Sequence, residues 1–294
     1  MDEPGQTRPA GDLRNGGRVF ECGSEVRGCV YRKWGIRSVK IAVLVKSAPN
    51  PSVRPELSDN FLLKRDGREG VLDPGDEHAV EAAVRIAEAN SGEVTAISMG
   101  PASAFAAVRR AIAMGVQRGV LVTDPLLAGA DALVTARVLA AALRRGAYDL
   151  IVTGVESTDG STGTLPMTIA QLLDLPSVTF ARRIELTTGV VRVERQTARG
   201  YNVLECPLPC VLAVTTAANE PRYPSFKGVV RAKQTPVATL SVSDLSLASS
   251  EVASAQKVVA AEDVVRRAAG EIVEDASVAP ARIVAALEKA KVLR

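Results

Sequence analysis

From Val39 onward the chain alternates short β-branched runs with stretches of helical periodicity, and that alternation restricts the fold more than any other feature. VKIAVLV (39–45) reads as a buried strand. A polar loop follows, and then a helix from about Gly75 to Asn90 with Ala79, Val80, Ala83, Val84 and Ala87 on one face. GEVTAISM is the next strand. After it come a helix around Phe105, Val108 and Ile112, a strand GVLVTD, a helix around Leu133, Ala136, Ala140 and Leu143, and a strand DLIVTG. Strands separated by helices of this length require parallel crossovers, so the expected fold is α/β, a doubly wound, mostly parallel sheet. Ligands of such sheets bind at the carboxyl ends of the strands.

After Leu175 the texture changes. VTFARRIEL, VVRVERQ, YNVLEC and CVLAVTT read as antiparallel strands, the first two joined by a TTG turn. NEPRYPSFKGVVRAK reads as a loop, having two prolines and no periodicity. A polar stretch near 240–256 leads to an amphipathic terminal helix, APARIVAALEKAKVL, with Ile283, Val284 and Leu287 on its apolar face. That face must pack on its own chain or on another. The expected organisation is an extension over 1–38, an α/β domain over 39–239 with a loop at 219–234, and a C-terminal linker and helix over 240–294.

Residues 1–38 are rich in Gly, Arg and charge, lack periodicity, and hold the only Trp, Trp34. Disorder is expected there. Because the patterned chain begins abruptly at Val39 and valine can be an alternative start codon, the further expectation is that the natural protein starts there. A natural N-terminal peptide containing Cys22 or Trp34 would exclude this.

The hydrophobic content of 47% suffices for a buried core, yet no uncharged apolar run approaches the length of a membrane span and no signal-peptide pattern opens the chain. A soluble cytoplasmic protein is expected, with no membrane insertion. Net charge is +3, and residues 1–38 carry seven Lys/Arg against five Asp/Glu, leaving 29 against 28 elsewhere. No nucleic-acid footprint results. Cys22, Cys29, Cys206 and Cys210 show no CxxC spacing, and His78 is the single histidine, which argues against a Cys/His zinc site. Cys206 and Cys210 are expected to be structural.

The stretch VTGVESTDGSTGTLPMTIAQLLDLP (152–176) carries the candidate chemistry. IVTG ends a strand, so the turn after it lies at the ligand-binding edge. Gly160 and Gly163 let backbone amides approach a ligand, Ser161, Thr162 and Thr164 add hydroxyls, and Pro166 suits the first turn of a helix whose amides and dipole favour an anion. The residues compose a phosphate cradle or, equally, an ordinary loop with hydroxyl caps. Neither GxGxxG nor GxxxxGK[ST] occurs, and no lysine adjoins the turn to assist phosphoryl transfer. The residues therefore point to nucleotide binding without nucleotide chemistry.

Several blocks, in order and at characteristic spacing, resemble the beta subunit of electron transfer flavoproteins, the FixA-like family, over about 39–294. They are VKIAVLVK; LDPGDEHAVEAAVRI; SMGPASAFAAVRRAIAMGVQRGVLVTD; ADALVTARVLAAAL; DLIVTGVESTDGSTGTLPMTIAQLLDLP; and LPCVLAVTTAANEPRYPSFKGVVRAK. The resemblance implies an electron carrier subunit, not an enzyme, active in processes such as fatty acid β-oxidation. One FAD per heterodimer would be held mainly by an alpha subunit, and one AMP by this chain. It places the phosphate at Asp159, Gly160, Ser161, Thr162, Gly163 and Thr164, and the adenosine near Val45, Lys46 and Ser47 and the turn at Met99 and Gly100. The implied electron donors are primary dehydrogenases such as acyl-CoA dehydrogenases, and the acceptor is a membrane quinone oxidoreductase. Phe226 takes the position of a dehydrogenase anchor, with Arg222, Tyr223, Lys227 and Arg231 around it. Its alternative is burial in its own domain. The terminal region would form an arm on the alpha subunit.

The chain departs from the family pattern in three places. Asp73 stands for a usual Asn before Pro, Ala198, Arg199 and Gly200 replace an acidic-Gly-Gly turn, and the loop after the first strand lacks a VPDT-like sequence. A bifurcating subunit with a second FAD in place of AMP and a stand-alone AMP-binding protein remain open, whereas an AMP-forming ligase would need an SGGxDS-type loop that is absent. His78, in a helix with Glu77 and Glu81, reads as part of a solvated face. Arg195 reads either as a group near the shared flavin or as half of a strand ion pair.

Overall fold

The computed structural model describes residues 19–20, 38–50, 52–53, 56–64, 70–262 and 270–292. The expectations for residues 1–38 fall outside these, apart from the strand at Val19–Phe20 and Ser38. In chain order the elements are β1 (Val19–Phe20), β2 (Lys40–Leu44), β3 (Ser47–Pro49), β4 (Gly70–Leu72), α1 (Pro74–Ala89), β5 (Glu93–Met99), α2 (Phe105–Met114), β6 (Arg118–Val122), α3 (Ala132–Arg144) and β7 (Leu150–Gly154). There follow α4 (Leu165–Leu173), β8 (Ser177–Thr187), β9 (Val190–Thr197), β10 (Gly200–Pro207), β11 (Cys210–Val214), α5 (Phe226–Gln234), β12 (Val237–Leu240) and α6 (Ala279–Lys289). The chain forms two compact units, one ending at Lys257 and the other Val258–Arg294.

The first unit is built on a sheet ordered β1-β10-β9-β8-β11-β7-β2-β5-β6-β12. From β12 to β8 all neighbours are parallel, as the strand–helix alternation requires. Helices cover both faces: Ala79, Val80, Ala83, Val84 and Ala87 of α1 pack with α2 on one side, and Val134, Val138 and Leu139 of α3 pack with Ile169 of α4 on the other. The chain runs from β2 outward to β5 and β6, then returns to place β7 on the other side of β2. That reversal opens a crevice at the carboxyl ends of β2 and β7, the usual ligand position in such sheets. Leu133 is 41% exposed, and Val134 takes the core position on α3.

Of the four strands expected to be antiparallel, β8, β9 and β10 pair in that way. CVLAV does not. As β11 it lies parallel to both β7 and β8, inserted between them. Its five residues are all buried, and a continuous apolar run marks a strand covered on both faces. Cys206 and Cys210 are free and buried in the core there.

The segment expected as a loop at 219–234 is helical from Phe226. Ser225 caps α5, its Oγ accepting from Gly228 N–H at 3.0 Å. Gly228 lies flat on α2, where a Cβ would fall 2.3 Å from the carbonyl oxygen of Ala113. Gly228→Ala is therefore expected to push α5 off α2 at a cost of about 2 kcal/mol, measurable by denaturant unfolding and by faster amide exchange over 226–234.

Within 240–256, Val242, Leu245 and Val252 are buried against the α3 side of the sheet. In the second unit α6 buries none of its residues, and Ile283 and Val284 are 58% and 46% exposed. Among the described residues no helix is long and apolar enough to cross a membrane.

Candidate functional site at the carboxyl edge of the sheet

The crevice is organised by the first turn of α1. Asp73 is its N-cap, Pro74 supplies a preset φ, and Asp76 and Glu77 place acid near the positive end of the helix. Asp73 is fully buried and ties three segments together. Its Oδ1 accepts from Gly75 N–H (2.9 Å), and its Oδ2 accepts from Thr158 N–H (2.8 Å) and Oγ1–H (2.7 Å). Its own N–H donates to the Lys46 carbonyl at 3.0 Å. Asp76 Oδ2 accepts from Lys46 N–H at 2.8 Å. Burial, then the neighbouring Asp73 charge, push the Asp76 carboxyl up to about 8, against the pull of the Lys46 and Gly154 amides.

Lys46 extends past the end of β2 to the loop after β7, where its Nζ donates to Ser157 Oγ at 3.0 Å and pairs with Asp159 at 2.5 Å. A lysine distant in sequence thus stands beside the turn for which sequence order supplied none. Val45 N–H donates to Ile97 O at 3.0 Å, so the end of β2 adjoins the half-buried Met99 and Gly100 closing β5. Ser47 begins β3, in a small hairpin with β4. A Cβ on Gly70 of β4 would run into the Ser47 hydroxyl.

The turn itself is open. Gly160, Ser161, Thr162 and Thr164 are exposed, and Ser161 and Gly163 have φ of 44° and 60°. Thr164 makes no side-chain cap, and Pro166 sits in the first turn of α4. The capping role weighed for that hydroxyl is therefore not the one it has. An uncapped helix start, three exposed serine/threonine hydroxyls and the Lys46 ammonium form a donor set that fits a phosphate group. Glu156 and Asp159 make the surroundings acidic, with the Glu156 carboxylate 3.6 Å from the position of a Cβ on Gly163.

Next to this turn, and sharing Asp73 and Thr158 with it, lies a cleft of about 830 Å³ lined by Phe180, Arg195, Val214 and Thr215. Phe180 has φ 57° at a bulge in β8, is 43% exposed, and carries the Arg195 guanidinium 5.7 Å from its ring centroid. Arg195 thus stacks on an aromatic ring in the cleft. Sequence reading considered Arg195 but missed Phe180 and Thr215, since the bulge that turns Phe180 outward leaves no periodic trace.

On the other side of α1 the residues around Phe226 divide into two groups. Phe226 and Tyr223 are 86% and 88% exposed, which excludes burial of Phe226 within its own domain. Val229 and Val230 extend the exposed apolar face at helical spacing. Lys227 is exposed beside them. Arg222 instead grips α1, donating from Nε to Glu81 (2.8 Å) and from Nη1 to Glu88 (2.7 Å), which holds its guanidinium pKa above the usual range. Arg231 donates to the Ile112 carbonyl at 2.7 Å. His78 and Glu81 leave the solvated face expected of them: Glu81 is buried, and His78 Nδ1 lies 2.9 Å from Asn219 O.

Residues 60–245 match the model of the electron transfer flavoprotein domain family. The chain is 38% identical over 239 residues to the electron transfer flavoprotein subunit beta of Thermoanaerobacterium thermosaccharolyticum, covering 80% of this chain and 92% of that protein. The chain belongs to the electron transfer flavoprotein beta-subunit family. Similarity extends to the Acetobacterium woodii caffeyl-CoA reductase-Etf complex subunit CarD, 33% identical over 71% of this chain and 80% of that protein. Protein FixA of Azorhizobium caulinodans is 34% identical over 69% of this chain and 75% of that protein. An electron transfer flavoprotein beta subunit works with an alpha subunit in electron transfer. Phe226 and α5 lie within the residues matched to the family.

Proposed function

We propose that this chain is the beta subunit of a heterodimeric carrier that takes electrons from primary dehydrogenases, such as acyl-CoA dehydrogenases, and passes them to a membrane quinone oxidoreductase. The setting proposed is the cytoplasm. One FAD, held mainly by the alpha subunit, supplies the redox chemistry, and this chain supplies position and electrostatics. The observation that carries the reading is the pairing of a hydroxyl-rich, uncapped turn with a separate exposed apolar helix face on one family-matched domain.

In this reading AMP lies on the turn 159–164 with its adenosine toward Val45–Ser47 and Met99–Gly100. The phosphate takes the free amides of α4 and the hydroxyls of Ser161, Thr162 and Thr164. Phe226, Tyr223, Val229 and Val230 dock the dehydrogenase, with Lys227 as a basic rim residue, while Arg222 and Arg231 shape the helix that presents them. The exposed face of α6 packs on the alpha subunit.

The similarity to CarD, a subunit of a caffeyl-CoA reductase-Etf complex, favours a second reading in which this chain holds a second FAD in place of AMP. Co-expression with an alpha subunit, acid release and chromatographic counting of nucleotides separates the two. One FAD and one AMP per heterodimer are expected; two FAD would establish the second reading, and no heterodimer with no nucleotide would overturn both.

A further inference from the structure

Asp76 holds the crevice together from inside. It is the third residue of α1's first turn, is buried, and touches the ends of two strands, accepting the Lys46 N–H at the end of β2 and lying beside Gly154 at the end of β7. A Cβ on Gly154 would fall 2.6 Å from Asp76 Oδ1, so the carboxyl packs directly on the Gly154 backbone and leaves no room for a side chain there. Asp73, one turn earlier, spends its oxygens on three donors, two of them from Thr158. That arrangement fixes the segment leading into the turn at 159–164.

The groups facing Asp76 are mostly acidic. On its own helix they are Asp73 and Glu77, the latter paired with Arg110 of α2 at 3.2 Å. The end of β2 brings Lys46, whose ammonium is shared with Asp159. The segment after β7 brings Glu156 and Asp159. Of the remaining elements packed on α1, β5 and β11 end here in Met99 and Val214, and Glu93 at the far end of β5 pairs with Arg118. The β8 arginines, Arg182 and Arg183, are taken up by Glu194. Lys46 is thus shared, Arg110 is taken up by Glu77 and Arg195 of the neighbouring cleft stacks on Phe180, so among the described residues the carboxylates outnumber the cations here, and an arriving phosphate dianion adds to the same negative field.

We propose that Asp76 is a proton-linked latch for the nucleotide: it carries its proton when an anion occupies the turn at 159–164, and its ionisation weakens the hold on that anion. This rests on the reading that AMP seats its phosphate there. The helix dipole favours an ionised carboxylate at this position, but burial beside a second carboxylate outweighs it. The Asp76 carboxyl, already pushed up to about 8, is raised further by a nearby dianion, so binding takes up a proton wherever the free chain has begun to lose one. Affinity therefore falls as pH rises through the region of 8.

The test uses the full chain with its alpha subunit, stripped of nucleotide and titrated calorimetrically with AMP from pH 7 to 9. The phosphate of AMP is a dianion throughout this range, its second pKa being about 6. The dissociation constant is expected to rise about fivefold over this range, the effect of a linked pKa change of about one unit. Buffers of different ionisation enthalpy should reveal proton uptake at pH 8, and adenosine, lacking the phosphate, should show neither effect. Asp76→Asn, a neutral side chain of the same shape, should bind AMP with a flat profile at the low-pH affinity. AMP binding that is flat in the parent chain, or a slope unchanged in Asp76→Asn, would overturn the latch and leave the AMP site standing. No AMP binding at any pH would overturn both.

Discussion

Replacing Arg222 with alanine is expected to lower the unfolding free energy by about 3 kcal/mol, because it strands a buried carboxylate. Glu81 is 2% exposed and accepts both the backbone N–H (3.1 Å) and the Nε–H (2.8 Å) of Arg222. Arg85 also donates to Glu81, which keeps the expected loss at the lower end for a broken buried pair. The loss should depend on pH in a defined direction. Burial pushes the Glu81 carboxyl up, and the hydrogen bonds from Arg222 and Arg85 more than offset it, leaving the group below its ordinary value. A depressed folded-state pKa contributes stability that is present above the unfolded value of 4.5 and is lost as pH falls through the folded one. Urea titrations of parent and variant should therefore differ most at neutral pH and converge in acid. Equal midpoints at pH 7 would show that the pair contributes nothing to stability.

Phe226→Ala is expected to slow reduction of the heterodimer by an acyl-CoA dehydrogenase about thirtyfold in kcat/KM, corresponding to roughly 2 kcal/mol for an interface anchor. Phe226 is 86% exposed at the start of α5, so its removal opens no cavity and should leave the unfolding midpoint and the flavin content unchanged. The effect should be confined to the productive encounter. Tyr223, 88% exposed with the Arg110 guanidinium 5.3 Å from its ring, sits before the helix and should show a smaller loss of the same kind. Unchanged kinetics in Phe226→Ala would remove the docking role from this face. The two variants are linked through structure: Arg222 fastens to α1 the segment from which α5 starts, so Arg222→Ala should also weaken docking.

The α/β framework was legible because its determinants are local. Alanines and valines at helical spacing in α1, and apolar runs in β2, β5 and β7, report burial on one face or two without reference to distant residues. The position of the turn at 159–164 followed from the same logic, since a loop leaving a parallel strand must lie at the carboxyl edge. Strand β11 was misread because direction is not a local property. CVLAV carries the same residues whichever way it runs, and its direction follows from the sheet neighbours between which the chain inserts it. α5 is only nine residues long, and two prolines just before it and several charges within it obscured a period that the Ser225 cap and the Gly228 contact with α2 make stable.

The amino-acid sequence by itself determined the layer architecture, the family and the position of the hydroxyl-rich turn at the carboxyl edge of the sheet, because periodicity and motif order are written along the chain. The tertiary structure alone decided the electrostatics. Lys46 meets Asp159 across 113 positions, Asp73 meets Thr158 across 85, and Arg222 meets Glu81 across 141. Charge and burial act through space, so whether Asp76 holds a proton, or Arg222 grips its own chain instead of a partner, depends on distances that exist only once the chain has folded.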